Sequence, residues 1–416
     1  MRWTIVNIGK AIVPAFLAST ITFVCLAIAG EVDGVISPAI NPRSASAISG
    51  SGPVSPAVPS SLVVSFGRPQ SLPEPNPNAE TLRAYASRIG LYFGSMMDSM
   101  KGNGWETDWV RNTLSSEFNL MEPGNQLKWS KTQPSQDTFD FGPGDSLVEF
   151  AIAHHMKVRG HNLLWGMGNP GWLGNGPART YTKFTGQQLE GILVNHIRTV
   201  MGHYREKYPG VVKWWDVTNE VMGWNNKFNS DGILWTNIGN SPDRADYLRV
   251  AFRTARAADP DAILCMNDYG NEGSIPDRTQ NMIDAVKAFK AEGIPIDCVG
   301  MEAHLDFESA PTYQQVLKTM KAYADLDVQV QVTEFDIHAP RSAQDWNKAS
   351  KIASNILKAC VDSPNCTAFN NWGFSQAFYL NDTGNPNTVT MLPWDTKNQM
   401  SPEYSAMRGV LKGSTR

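Results

Sequence analysis

The chain has 416 residues, 42% of them hydrophobic, with 36 Lys plus Arg against 40 Asp plus Glu. That length and apolar content support a large core, in two or three domains or in one α/β barrel. A net charge of −4 without any Lys/Arg stripe argues against a nucleic-acid partner.

The first segment reads as an address. Arg2 and Lys10 precede an uncharged stretch, Ala11–Ala29, that closes on the small-x-small pattern Ala27-Ile28-Ala29. Residues 1–29 are therefore expected to be a signal peptide, and the protein to be exported and free of stable membrane contact. The competing reading is an uncleaved membrane anchor, since a span needs about 20 apolar residues; Pro14 and the Ala and Thr content make it a poor one. Residues 30–78 are rich in Ser, Pro, Ala and Gly, with almost no charge, and read as a flexible linker. Of five Cys, Cys25 lies in the signal. The other four suit an oxidising compartment. Cys360 and Cys366 close a short loop, and Cys265 and Cys298 each sit near the end of a predicted strand, so the expected pairs are 360–366 and 265–298. Metal ligation competes with that reading, without Cys-x-x-Cys spacing in its support.

Residues 79–416 alternate β-branched runs with amphipathic stretches. Strands are predicted near Tyr92–Met96, Glu117–Met121, Val158–Leu164, Val212–Val217, Ala262–Met266, Cys298–Met301, Val328–Val332 and Thr367–Asn371. The clearest helix runs from Thr185 to Tyr204, with Leu189, Ile192, Leu193, Ile197, Val200 and Met201 on one face and Thr185 with Gln188 as a capping box. Ser241-Pro242 is expected to start another helix. Eight β-plus-α units predict a (β/α)₈ barrel. A doubly wound open sheet is the alternative, but no Gly-rich phosphate loop follows the first strand.

Catalytic groups of such a barrel sit at the C-terminal strand ends. Here those ends carry Asn125 and Lys128, His161 and Trp165, Asn219 and Glu220, Asn267 and Asp268, His304, Glu334 and Asp336, and Trp372. Core packing does not predict polar and aromatic groups at nearly every tip. Glu220 and Glu334 each end a β-like run, where an acid is costly unless it is paired or working. Two such acids are what glycoside hydrolysis needs. The 13 Trp suit sugar binding, each offering a flat apolar face and a polar edge.

In combination these residues resemble the retaining xylanases of glycoside hydrolase family 10. The motifs are Asn125-x-x-Lys128-Trp129, Arg159-Gly160-His161-x-x-x-Trp165, Trp215-Asp216-Val217-x-Asn219-Glu220, Asn267-Asp268-Tyr269, Gly300-x-x-x-His304-Leu305, Thr333-Glu334-x-Asp336 and Trp372-Gly373. The resemblance implies that Glu220 is the acid/base and Glu334 the nucleophile of a double displacement, with carboxyls about 5–5.5 Å apart. It implies that Asn219 binds the sugar 2-hydroxyl, that Asp336 orients His304, and that Asn125, Lys128, His161, Trp165 and Trp372 grip the glycone. The implied substrate is xylan, hydrolysed internally at β-1,4 bonds without metal or organic cofactor. No large apolar seam is evident, which points to a monomer.

The chain departs from the family pattern where the glycone is held. Gly124 stands where a glutamate is usual, with Glu122 two residues earlier as a possible substitute. Gly166 and Gly168 replace a His and a Gln, with Asn169 nearby. Gln376 replaces an Asp, and Tyr379 is the nearest second aromatic wall. Glu302 replaces a Gln beside the nucleophile, where a third carboxyl should hold a proton to unusually high pH or bind a group that xylose lacks. These departures keep open a different β-glycan or a decorated glycoside as substrate. A non-catalytic carbohydrate-binding protein is the third reading, opposed by the two retained glutamates. Asn365-Cys366-Thr367 and Asn381-Asp382-Thr383 fit N-glycosylation sequons.

Overall fold

The computed structural model describes residues 72–99, 104–174, 182–223, 225–226, 234–381 and 385–416. The expected signal, the linker up to residue 71 and the Asp382-Thr383 part of one sequon lie outside them.

Among the described residues ten strands form: β1 (Tyr92–Met97), β2 (Leu120–Pro123), β3 (Lys157–Gly160), β4 (Val212–Asn219), β5 (Ile263–Asp268), β6 (Cys298–Met301), β7 (His304–Asp306), β8 (Gln329–Pro340), β9 (Cys366–Asn371) and β10 (Thr388–Met391). The parallel order β1-β2-β3-β4-β5-β6-β8-β9 closes on itself, because β9 also pairs with β1. The fold is thus a (β/α)₈ barrel, and the eight predicted strands are its staves. The short β7 and the antiparallel β10 flank the outer half of β8, beyond the barrel.

Local chemistry explains most elements. The helix Gly186–Lys207 has the Thr185/Gln188 capping box and buries Leu189, Leu193, Ile197, Val200 and Met201. Each such apolar side chain contributes about 1.5–3 kcal/mol on burial. Several boundaries differ from expectation, β8 most of all, which runs past the predicted end at Val332 to Pro340; three others have a visible cause. Glu117 ends the helix Asp108–Glu117 and receives the Leu82 N–H, so β2 starts only at Leu120. Barrel strand β3 stops at Gly160, because the chain turns into the cleft at His161. Ser241-Pro242 belongs to a turn; its helix starts at Asp246, whose carboxylate accepts the N–H groups of Asn240 and Ser241. The expected linker is also docked before its end: the Leu72 N–H bonds the Ala153 carbonyl at 3.0 Å, and Glu74 pairs with His155.

Both disulfides are present, 265–298 and 360–366. Cys265 and Cys298 face each other on β5 and β6 and are fully buried. Replacing both by alanine is expected to lower the unfolding free energy by roughly 3–4 kcal/mol, the chain-entropy cost of a bridge spanning 33 residues. An unchanged denaturant midpoint would refute that estimate. The sequon at Asn365 is spent on structure, because its amide donates to the Met320 and Val328 carbonyls, both at 3.0 Å.

Candidate active site

The floor of the site is a polar layer inside the barrel. Arg159 on β3 reaches across to Gln331 on β8 (2.8 Å), Glu122 on β2 (2.9 Å) and Asp216 on β4 (2.6 Å). All of these side chains are fully buried. A buried guanidinium is tolerable only with such complete pairing. Glu122 therefore faces the barrel interior and does not replace the absent glycone carboxylate. Burial pushes its carboxyl up to about 7, against the pull of Arg159 and His161. His161 sits on this floor, 1% exposed, with Nδ1 2.9 Å from Asp216 and 3.9 Å from Glu334.

Glu334 and Asp336 lie two residues apart on β8 and so share a face. His304 bridges them, with Nδ1 2.9 Å from Asp336 and Nε2 3.3 Å from Glu334. The other Glu334 oxygen accepts from the Asn267 amide at 2.7 Å. Asn267 fits there because Gly300, on the next strand, has no side chain: a Cβ at Gly300 would stand 1.9 Å from the Asn267 amide oxygen. Burial alone would raise the Glu334 carboxyl. The His161 and His304 imidazoles and the Lys128 ammonium overcome it and hold the group down to about 2. His304, between two carboxylates, is driven well above its ordinary range despite burial.

Glu220 has the opposite environment. It leaves β4 with a left-handed φ of 50°, its N–H held by the Asn267 carbonyl at 3.0 Å. An L-residue with such a backbone is costly, and strain of this kind clusters at working sites. Burial pushes the Glu220 carboxyl up to about 7, and the charges of Asp268 and Glu334 add to the rise. The Trp165 indole N–H opposes it, although it completes no hydrogen bond of ordinary geometry. Asp268 is not free for chemistry: Arg278 pairs with it at 2.5 Å and the Met222 N–H bonds it at 2.9 Å. Arg278 also stacks on Tyr269, 3.7 Å from the ring centre. Next to Glu220, the Asn219 side-chain oxygen accepts from Asn267 at 2.7 Å, which leaves the Asn219 amide N–H group as its offering to a ligand.

A cavity of about 400 Å³ is lined by Met96, Asp98, Gly124, Asn125, Lys128, Trp372, Phe378, Tyr379 and Asn381. Lys128 bonds the Asn125 oxygen at 3.0 Å and lies 5.0 Å and 5.9 Å from the Trp165 and Trp372 ring centres. The structure adds Asp98, just past β1, which receives the Asn125 and Gln126 amides, both at 2.5 Å. The signal for it was in the sequence, an acid two residues past a predicted strand end. Met96 occupies the space a side chain at Gly124 would need, its sulfur 2.6 Å from the position of a Cβ there. Asn169 does not compensate for Gly168; its amide is committed to the Gly166 carbonyl and the Trp235 indole. Gln376 is buried and donates to the Thr390 carbonyl, anchoring β10. Tyr379 is 6% exposed and packs over Gly373.

Larger cavities, of about 680 and 630 Å³, lie around the C-terminus and the Leu72–Ala79 segment, away from the strand tips. Neither is lined by Glu220 or Glu334, so chemistry and not volume locates this site. Among the described residues three groupings bring His and acidic ligand atoms within 4.8 Å of one another: His304/Asp336/His338, Glu122/His161/Glu334 and Glu302/His304/Glu334. In each, a histidine Nδ1 is already 2.9 Å from a carboxylate, either Asp336 or Asp216. They form one ion-pair chain across the barrel mouth.

A parallel barrel with two strand-tip carboxyls biased in opposite directions is the layout of a glycoside hydrolase. Comparison with known proteins agrees and narrows the class. The family model described as glycosyl hydrolase family 10 matches residues 81–410, and the chain belongs to that family. Endo-1,4-beta-xylanase B of Thermotoga neapolitana is 31% identical over 303 residues, covering 71% of this chain and 82% of that protein. Endo-1,4-beta-xylanase A of Phanerodontia chrysosporium is 32% identical over 326 residues, covering 76% and 73%. Among solved structures, xylanase 10B of Thermotoga petrophila in complex with xylobiose superposes with a TM-score of 0.72 at 30% identity, covering 80% of this chain and 97% of that one.

Proposed function

We infer that the chain is a retaining endo-β-1,4-xylanase in which Glu334 is the nucleophile and Glu220 the acid/base. The observation that carries this is the opposite setting of the two acids: Glu334 lies 3.3 Å from His304, accepts from Asn267 at 2.7 Å and is held down to about 2, whereas Glu220 is buried with no such partners among the described residues and is pushed up to about 7. At neutral to mildly acidic pH one is a carboxylate and the other can carry a proton. In the first step the Glu334 oxygen bonds the anomeric carbon while Glu220 gives its proton to the departing glycosidic oxygen. In the second, Glu220 takes a proton from water, whose oxygen displaces Glu334 from the sugar. Asn219 is placed to donate to the 2-hydroxyl, a bond that strengthens as charge develops on the ring. His304, oriented by Asp336, and Asn267 hold Glu334 in position. Trp372, Trp165, Lys128 and Asn125 line the glycone side.

Activity then needs Glu334 ionised and Glu220 protonated. Raising the pH through about 7 removes the Glu220 proton, and lowering it towards about 2 neutralises Glu334. The kcat/KM profile is expected to stay level between those limits and to fall on each side. An alkaline limb in the ordinary carboxylate range would contradict the assignment.

The filled space at Gly124 and the presence of Asp98 favour one further reading, a β-glycan other than plain xylan or a decorated one. Hydrolysis of xylan, xylo-oligosaccharides, mixed-linkage glucan and aryl β-glycosides separates them. Highest kcat/KM on xylo-oligosaccharides supports the xylanase; binding without cleavage of any of these would overturn both. The signal-like N-terminus and the two disulfides support secretion. Among the described residues no helix is long and apolar enough to cross a membrane.

A further inference from the structure

A third carboxyl stands between the two acids. Glu302 follows β6, is 1% exposed, and is clamped through its backbone: its N–H bonds the Asp268 carbonyl and its own carbonyl accepts the Glu334 N–H, both at 3.0 Å. Its side chain has poor access to donors. One oxygen lies 3.3 Å from the Asn267 amide nitrogen, but that nitrogen makes shorter bonds, 2.7 Å each, to Asn219 and Glu334. An amide NH₂ has two hydrogens for these three acceptors. The other Glu302 oxygen lies 3.9 Å from His304 Nε2, which stands closer, at 3.3 Å, to Glu334. The titratable groups that act on Glu302 include Glu334 on β8, Glu220 just after β4, Asp268 on β5, Tyr269 just after β5 and His304 on β7. An ionised, buried carboxylate with three acidic neighbours and only a 3.3 Å share in one amide donor is strongly disfavoured. A neutral carboxyl carries its own donor.

We propose that Glu302 is a positioning residue that works as a protonated carboxyl, supplying the donor that Asn267 and His304 cannot, and so bracing the ionised Glu334 within the Asn219–Asn267–Glu334 cluster. The proposal rests on the assignment of Glu334 as nucleophile. Burial, and next the Glu334 charge, raises the Glu302 carboxyl well above its ordinary range, consistent with the geometry.

Glutamine matches the neutral carboxyl in shape and keeps a donor; leucine keeps only the bulk. Glu302→Gln is expected to hold kcat/KM within about threefold of wild type, with an unshifted alkaline limb. Glu302→Leu is expected to lose about tenfold or more in kcat with KM little changed, the cost of one buried donor. The wild-type minus Glu302→Gln infrared difference spectrum at neutral pH is expected to show the C=O stretch of a protonated carboxyl. A carboxylate band in its place would overturn the proposal. So would an alkaline limb that falls by about one pH unit in Glu302→Gln, because removal of a fixed negative charge would lower the Glu220 proton affinity by that amount. If Glu302→Leu fails to fold, the glutamine variant and the spectrum still decide. A wild-type protein inactive on every glycan would overturn the functional reading and leave the infrared band to judge Glu302.

Discussion

Glu334→Ala is expected to lower kcat on xylo-oligosaccharides by a factor on the order of 10⁵ while the protein stays folded at assay temperature. The size follows from what is lost. Without the carboxylate no glycosyl-enzyme can form, and hydrolysis must proceed by a single displacement for which no base is placed. The site would also keep an unbalanced surplus of positive charge: the His304 imidazole, 3.3 Å from the Glu334 oxygen, and the His161 imidazole and Lys128 ammonium that depress its proton affinity. That surplus repels the oxocarbenium-like transition state instead of stabilising it. Loss of the carboxylate should therefore cost more in kcat than in ligand binding, because Trp372, Trp165, Lys128 and Asn125 still grip the glycone. Isothermal titration with xylotriose, beside the turnover assay, checks this split. A variant that retains more than about one hundredth of wild-type kcat would remove Glu334 from the nucleophile's role.

What could be read in the sequence, and what could not, divides along physical lines. Strands such as Val212–Asn219 and Cys298–Met301 announce themselves because a parallel barrel buries both faces and demands apolar runs. The helix Gly186–Lys207 announces itself by its cap and period. Glu117 falls on the helix and not on the expected strand because its role is set by a partner 35 residues away, the Leu82 N–H, which no local pattern encodes. Glu122 looked like a candidate for the glycone side by its chain position. Its direction is settled by Arg159 and by Asn370, 248 residues distant, which donates to it at 3.0 Å. Motifs located the acids, but not their opposite biases, which arise from burial and from histidines on other strands. Asp98 is harder to see, because β1 runs one residue past the predicted end at Met96 and Asp98 directly follows it. Met96, in turn, fills the place of a missing side chain at Gly124 only because β1 and β2 lie side by side with Met96 opposite Glu122.

Glu220→Ala is the second large effect, and its size should depend on the leaving group. A general acid contributes about 10²–10⁴ in rate when it must protonate a poor leaving group. Xylo-oligosaccharides have an alkoxide to expel and should lose that full factor in kcat/KM. An aryl xylobioside with an acidic phenol leaves without protonation, so its first step should change little, while its second step slows because water has lost its base. The glycosyl-enzyme on Glu334 should then accumulate, appearing as a burst of phenol followed by a low steady rate with a very low apparent KM. Azide sharpens the distinction between the two acids. In Glu220→Ala it can attack the accumulated intermediate in place of activated water, displacing Glu334 a second time, and the product is the β-glycosyl azide. In Glu334→Ala there is no intermediate, and azide entering the vacated space displaces the leaving group once, giving the α-anomer. Proton NMR of the anomeric centre reads the difference directly. Exchange of these two outcomes would reverse the assignment of roles, and rescue of neither variant would leave the opposite biases of the two carboxyls without a catalytic meaning.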